Sequence, residues 1–466
     1  MMKIKKLFLI LCILALCSQV FAMGITEKLK AVVAQLGGSP ETLYVCQGGD
    51  ASIPNSGVCG EAFDDSDVFL DADEWDSNVN TRNQKIGPGD TLVIMDDTAF
   101  ATLLTVQVDG VAGHPITIKG DNDATAEFNA CTTHCIDLTD REYINFEDLK
   151  ITGAGDSGIR RTDSGGSWAG LAQAHINVEN VNISGCTDNG VYLEGDYLSV
   201  TDSIFDDNGD ASAYHHIYLI GDNMTIAGNK AINSAAGCGL RFYGSEIEVS
   251  HNWVAGNDKR PICVQLDTDG LTHQNWKILS NIIISAKDDY FIIFTNDVNS
   301  SVYSDIDLFG NVFYNTTANA DGLYITDMTN FTYKNNVMTI DDYAFGFIND
   351  ADATGAVVTY NMYQNVNQWY YGTSGNRTWA EWTGDGFDAT GSVEDDDPEF
   401  TTAGTDFTPD PDSPLRDAGV DLGTGSDYLA LDTDSNVVGD WPNPTTTNQD
   451  DDTTWEIGAY GGVSAP

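Results

Sequence analysis

The stretches His215-His216-Ile217-Tyr218 and Arg241-Phe242-Tyr243, with the pair Lys259-Arg260, bring an imidazole, phenols, guanidinium groups and an ammonium into one part of the chain. An imidazole with a pKa of about 6.5 can take a proton near neutral pH. A phenol can give one, and a guanidinium neutralises a carboxylate. This set suits removal of a weakly acidic proton beside a carboxylate, followed by loss of an oxygen leaving group. His216 or Lys259 would be the base, Arg241 the neutralising cation and Tyr218 the donor to the leaving oxygen. Arg160, Tyr192, Glu194, Tyr243 and Arg260 would contact the ligand around them. The run Asp206-Asp207-Asn208-Gly209-Asp210 has the oxygen-rich composition of a calcium loop. Asp206, Asp207 and Asp210 are therefore candidate Ca²⁺ ligands.

These residues acquire a common geometry only if the chain repeats. From about residue 144 to 365, short β-rich runs alternate with a polar position at Asp148, Asn180, Ser203, Asn229, Asn252, Asn281, Asn311, Asn336 and Asn361. A repeat of roughly 20 to 30 residues built from short strands means a stacked solenoid. In this register Ile159, Val191, Ile217, Leu240 and Ile262 start equivalent strands and point inward. Alternation then puts Gly158, Gly190, His216, Gly239 and Pro261 in one outward column. Arg160, Tyr192, Tyr218, Arg241 and Cys263 form a second, and Thr162, Glu194, Ile220, Tyr243 and Gln265 a third. His216 would stand in an open notch between glycines, with His215 turned away from it.

The 466 residues carry 21 Lys and Arg against 71 Asp and Glu, a formal charge of −50. Such a chain lacks the general basic surface that nucleic acid requires. Arg160, Arg161, Arg241, Lys259 and Arg260 fall on one strand position or the turn before it, a local basic strip suited to an anionic, extended ligand. Residues 1–22 have a basic start, an apolar run and Val20-Phe21-Ala22, the pattern of a secretory signal. A secreted protein, a monomer with no membrane span, is the expectation. Cys46 with Cys59 and Cys131 with Cys135 are spaced for small disulfide loops, whereas Cys186, Cys238 and Cys263 read as buried thiols. Ile25, Leu29, Val32, Val33 and Leu36 predict an amphipathic helix over 24–36, ended by Gly37-Gly38 and capping the solenoid. The expected divisions are 1–22 signal, 23–90 cap and first strands, 91–385 solenoid, and 386–466 a C-terminal arm.

Leu43-Tyr44-Val45, Gly87-Pro88-Gly89-Asp90-Thr91-Leu92-Val93-Ile94 and Gly113-His114-Pro115-Ile116-Thr117-Ile118 resemble the opening coils of secreted β-helix proteins of the pectate- and alginate-lyase type. Asp397-Pro398-Glu399-Phe400, Ser413-Pro414-Leu415-Arg416-Asp417-Ala418-Gly419 and Glu456-Ile457-Gly458-Ala459-Tyr460 resemble their C-terminal ending. The resemblance implies an all-β, right-handed parallel β-helix with an irregular C-terminal arm. It also implies a lyase acting on a uronate-containing polysaccharide, using Lys or Arg as base and bound calcium.

Two rivals stay open. A glycoside hydrolase needs two carboxylates some 5 to 9.5 Å apart, and Glu194 is the acid placed on the outward face. A non-catalytic glycan-binding or adhesion protein would use the same groove.

Overall fold

The computed structural model describes residues 40–79, 84–95, 99–121, 126–164, 171–211, 213–257, 260–266, 272–285, 290–296, 302–315, 321–326, 328–347, 354–372, 375–394, 396–422, 429–431, 441–442, 444–448 and 455–460. The signal segment, the helix expected over 24–36 and Lys259 lie outside the described residues.

Short strands bounded by turns cannot each bury an apolar face alone, so they stack. Successive strands go in turn to three long sheets of 12, 11 and 12 strands, and neighbours within a sheet are one coil apart. One coil runs Asp196–Thr201 in the first sheet, Ile204–Asp206 in the second and Ile217–Ile220 in the third. Pairing from coil to coil is parallel, from Thr42–Val45 to Val393–Glu394, and at the end of the third sheet Gly375–Arg377 turns back antiparallel on Gln368–Tyr371. At about 4.8 Å between strands, like positions form ladders. Ile176, Val178, Leu198, Val200, Met224 and Ile226 fill the interior in this way.

The turn between the first and second sheets explains the recurring asparagines. One residue per coil has a left-handed backbone: Asp148, Asn180, Asp202, Gly228, His251, Ser280, Gly310, Asn335 and Tyr360, all with φ between 51° and 69°. The next residue points inward, and from Ser203 through Asn229, Asn252, Asn281, Asn311 and Asn336 to Asn361 these side chains form a buried ladder. Asn281 Oδ1 accepts from the backbone N–H of Asn252 at 3.0 Å and from its Nδ2 at 2.9 Å. Asn281 Nδ2 in turn donates to the Val249 carbonyl at 2.8 Å. The ladder thus satisfies backbone groups that a sharp turn would otherwise leave buried and unpaired. Asp148 and Asn180, read from sequence as part of this series, belong instead to the left-handed column one residue earlier. Val181 is the true counterpart of Ser203, whose Oγ accepts its N–H at 3.1 Å. Asn361 Nδ2 continues the ladder to the buried carboxylate of Asp388, which also accepts from Tyr363, Trp382 and Ser392.

Helix is scarce and sits at the ends. Asp65–Leu70 places Phe69 against Phe100 and Phe128 in the first coils. Trp379–Gly384 begins with a capping box between Thr378 and Glu381. It lays Trp382 over Phe345 and Phe347, closing the C-terminal end of the core. The arm that follows covers the outer face of the second sheet: Phe407, Leu415, Trp441, Ile457 and Tyr460 cluster with Trp253, Val312, Val337 and Met362. Strands such as Ile282–Ser285 are consequently apolar on both faces.

The expected disulfides Cys46–Cys59 and Cys131–Cys135 are present, and Cys186 is a buried thiol. Cys238 and Cys263 are not thiols. They form a third bridge between adjacent coils, because both lie at the edge of the third sheet where consecutive coils bring them together.

Candidate active-site face

The third sheet carries the residues singled out by their chemistry. Its register aligns Ile159, Val191, Ile217, Leu240 and Ile262 as one buried stack, as the repeat spacing predicts. The next position outward aligns Arg160, Tyr192, Tyr218, Arg241 and Cys263. Beyond it, Glu194, Ile220 and Tyr243 are paired.

The rings of Tyr192, Tyr218 and Tyr243 meet edge to face, with centroids 5.0 and 5.8 Å apart. The Arg241 guanidinium lies 4.9 Å from the centre of the Tyr218 ring and 5.1 Å from that of Tyr243, within cation–π range. Arg241 Nε donates to the Tyr243 hydroxyl, and the Tyr192 hydroxyl donates to Glu194. Burial is the main cause holding the Tyr192 and Tyr243 phenols well above the usual range, so both stay protonated. The arrangement offers a fixed cation beside aromatic faces.

The two adjacent histidines are both fully buried, and neither stands in the open notch read from the sequence. His216 is fully buried, and its Nδ1 lies 3.1 Å from the side-chain amide of Asn208. Burial pushes its pKa down to about 3. Strand alternation does not apply at position 216, because the chain turns a corner there before the strand begins. The flanking glycines make room inside: a Cβ on Gly190 would lie 2.8 Å from the Phe205 ring, and one on Gly239 2.5 Å from Val254. His216 is therefore withdrawn as a base. His215, expected to face away, packs edge-on against Tyr218 at 5.3 Å and puts Nε2 3.1 Å from Arg241 Nη1. Its Nδ1 accepts the backbone N–H of Cys238 at 3.0 Å. Arg161 is corrected too. It alternates inward, is fully buried, and donates to the carbonyls of Arg141 and Glu194, so it adds no charge to the strip.

His134, which the sequence reading passed over, repeats the arrangement. Its Nε2 lies 2.6 Å from Arg160 Nη1 and its Nδ1 3.4 Å from the backbone nitrogen of Ser157. Each histidine stands two residues before its inward isoleucine, and each is 26 residues before its arginine. That shared spacing was the available signal. Asp156 and Asp188 were also missed. They lie on successive coils in the turn before this sheet, joined by Asp188 N–H donating to the Asp156 carbonyl at 3.1 Å. Burial, reinforced by the neighbouring Asp156, pushes the Asp188 carboxyl up to about 7. Arg260 stands two residues before Ile262, so it occupies the His215 position of its own coil, its carbonyl accepting from Gly239.

Asp206, Asp207 and Asp210 do not converge. Asp206 ends a strand and its Oδ1 accepts from Asn233 at 2.9 Å. Asp207 is an exposed left-handed turn residue, Asn208 points into the core, and the Asp210 N–H donates to the Thr187 carbonyl. These residues do not fit a calcium loop, and among the described residues no three His, Cys, Asp or Glu side chains gather as metal ligands would. Two shallow depressions of about 300 and 310 Å³ lie elsewhere, along the first sheet and its turn, lined by residues such as Glu248 and Lys277 or Glu147 and Glu179. Their walls are mostly acids and amides, and the aromatic and guanidinium groups are on the third sheet.

Residues 116–275 match the family model described as a right-handed β-helix region. No curated protein matches the chain significantly. Among solved structures, pectate lyase Pel9A is similar at 12% identity and a TM-score of 0.47, covering 91% of this chain and 97% of that one. The A-module of the mannuronan C-5 epimerase AlgE4 of Azotobacter vinelandii is 14% identical, with a TM-score of 0.39 over 66% of this chain and 85% of that one. The GH136 lacto-N-biosidase of Eubacterium ramulus is 12% identical, with a TM-score of 0.39 over 76% and 67%. Likenesses of this size do not carry an activity across, so the chemistry has to be argued from the side chains. With three stacked parallel sheets and the matched region within them, the chain has the right-handed parallel β-helix fold.

Proposed function

We propose that the outward face of the third sheet binds a uronate-containing, anionic polysaccharide, and that the protein is a secreted polysaccharide lyase cleaving it by β-elimination. One observation carries this reading. On a chain of charge −50, the partly exposed Arg241 is held by His215 and Tyr243 over the ring of Tyr218. A carboxylate on Arg241 and a sugar ring against Tyr218 and Tyr192 use both properties of that face.

In the elimination, the C–H bond beside the neutralised carboxylate breaks and its proton passes to a base. The electron pair forms the new C=C bond as the C4–O bond breaks, and the leaving oxygen takes a proton from Tyr218. With His216 inside the core, Asp188 is the candidate proton acceptor, since it lies in the turn leading into this sheet and burial with Asp156 raises its carboxyl to about 7. Lys259 is the other base that the sequence suggests.

A second reading has its own support. The raised carboxyl of Asp188 beside Asp156 also resembles the protonated acid of a glycoside hydrolase. Product analysis separates the two. Incubation with polygalacturonate or alginate should produce the ultraviolet absorbance of an unsaturated uronate. New reducing ends without that absorbance would mean hydrolysis, and binding without either product would mean a glycan-binding protein.

A further inference from the structure

Around the corner from the third sheet, the residue just before each inward position of the first sheet has a left-handed backbone. In coil order these residues are Tyr143, His175, Tyr197, Asn223, Glu246 and Asn275, with φ between 50° and 62°. Asparagine suits such a backbone, whereas bulky rings rarely adopt it. The three aromatic residues nonetheless follow one another, and their rings lie flat together. Tyr143 stacks on His175 at 4.3 Å and 12°, and His175 on Tyr197 at 4.4 Å and 7°. One ring per coil matches the strand spacing of about 4.8 Å, so the stack runs along the solenoid axis. Tyr143 at its start is buried, but Tyr197 at its end is 42% exposed. Beyond Tyr197 the column continues as Asn223, Glu246 and Asn275, which with Thr225, Glu248 and Lys277 line the depression of about 300 Å³. That volume is at the small end of ligand sites.

We propose that Tyr197 and this depression form a second carbohydrate site, one that takes a neutral sugar ring. The exposed Tyr197 ring supplies an apolar platform for the C–H face of a pyranose, and the rings of His175 and Tyr143 fix its orientation from behind. The walls supply partners for hydroxyls. Glu246 accepts from Asn275 Nδ2 and Glu248 from the Ser250 hydroxyl, which holds both acids in place. A carboxylate has about four acceptor sites, so each has capacity for sugar hydroxyls as well. Two carboxylates against the single ammonium of Lys277 leave a local excess of negative charge. That excess suits a hydroxyl donor and repels a uronate. The site is thus opposite in preference to the third sheet, where Arg241 favours an anion, and it does not depend on that reading.

The test is titration calorimetry and saturation-transfer NMR with cellohexaose, mannohexaose, galactohexaose and xylohexaose. At least one should bind, with an affinity that does not change with salt. Tyr197→Asn should weaken that binding at least about tenfold through loss of the ring. It should also keep its fold, because asparagine is the residue that later coils place in the same backbone. Tyr197→Phe should bind as wild type, since the ring face makes the contact, and Glu248→Gln should weaken binding severalfold. Polygalacturonate affinity should be the same in wild type and Tyr197→Asn. The inference fails if none of the hexaoses binds, if Tyr197→Asn binds them like wild type, or if Tyr197→Phe loses as much as Tyr197→Asn. It fails equally if Glu248→Gln changes nothing, or if Tyr197→Asn weakens polygalacturonate as much as the neutral sugar. Absence of polygalacturonate binding to wild type would contradict the third-sheet reading alone.

Discussion

His215 and Arg241 sit on successive coils with Nε2 and Nη1 3.1 Å apart, while His216, one residue along, turns into the core against Asn208. Both rings are fully buried, but His215 packs beneath Tyr218 and Arg241 whereas His216 is held by Asn208. His215→Ala should weaken polyuronate binding severalfold by releasing Arg241, and should also lower the melting temperature, because the buried ring accepts the Cys238 N–H. His216→Ala should mainly lower the melting temperature, because it empties a fully buried site and leaves Asn208 short of a partner. Titration calorimetry and thermal unfolding on both variants check the difference, which is that only the loss of His215 should affect binding.

Acid stability follows from the same burial. His216 has a folded pKa near 3 against about 6.5 unfolded, so the unfolded chain binds the extra proton between those values. Its contribution to stability is therefore complete above about 6.5 and is lost as pH falls toward 3. His216→Gln, which does not titrate, should flatten that part of the stability profile. Urea unfolding at a series of pH values measures it, and an unchanged slope would contradict the buried neutral ring.

Asn281→Ala interrupts the ladder between Asn252 and Asn311. It strips an acceptor from two Asn252 donors and a donor from the Val249 carbonyl, all buried. At about 1 to 3 kcal/mol for each buried group left unsatisfied, the loss should be on the order of 3 to 6 kcal/mol. Asn180→Ala, in the left-handed column outside the ladder, should cost much less. Equilibrium denaturation of the two variants compares them directly.

The solenoid was legible because inward aliphatic residues and turn asparagines recur with each coil, and the stack from Ile159 to Ile262 aligns as the spacing predicts. The row Arg160, Tyr192, Tyr218, Arg241 was legible for the same reason. What failed was alternation carried past the strand's first residue, where the backbone turns a corner: His216 went inside, and His215, buried as well, packs beneath Tyr218 and Arg241. Glycines beside His216 suggested an opening, but they also mark where the interior is crowded. Asp188 was invisible because its character comes from burial in the stacked turns and from Asp156 on the coil below, 32 residues away in sequence. The third disulfide needed the same coil-to-coil proximity.

Asp188 sets the expected pH dependence. If its carboxylate takes the proton, kcat/KM should fall as pH drops below about 7, because the raised pKa keeps the group protonated there. Asp188→Asn should reduce turnover by roughly two to four orders of magnitude and abolish that limb. A retained limb in this variant would direct the search to Lys259.

The central claim is that an anionic polysaccharide is held on the third sheet through Arg241. The most direct measurement is the affinity of wild type and Arg241→Ala for polygalacturonate, for alginate and for carboxyl-reduced versions of each, across a salt series. With a Debye length of roughly 10 Å at 0.1 M, an exposed charge contact weakens as salt rises. Wild type should bind the charged polymers, lose affinity with salt and discriminate against the reduced ones, and Arg241→Ala should lose most of all three effects. Equal affinity for charged and reduced polymers, or binding indifferent to Arg241, would contradict the account.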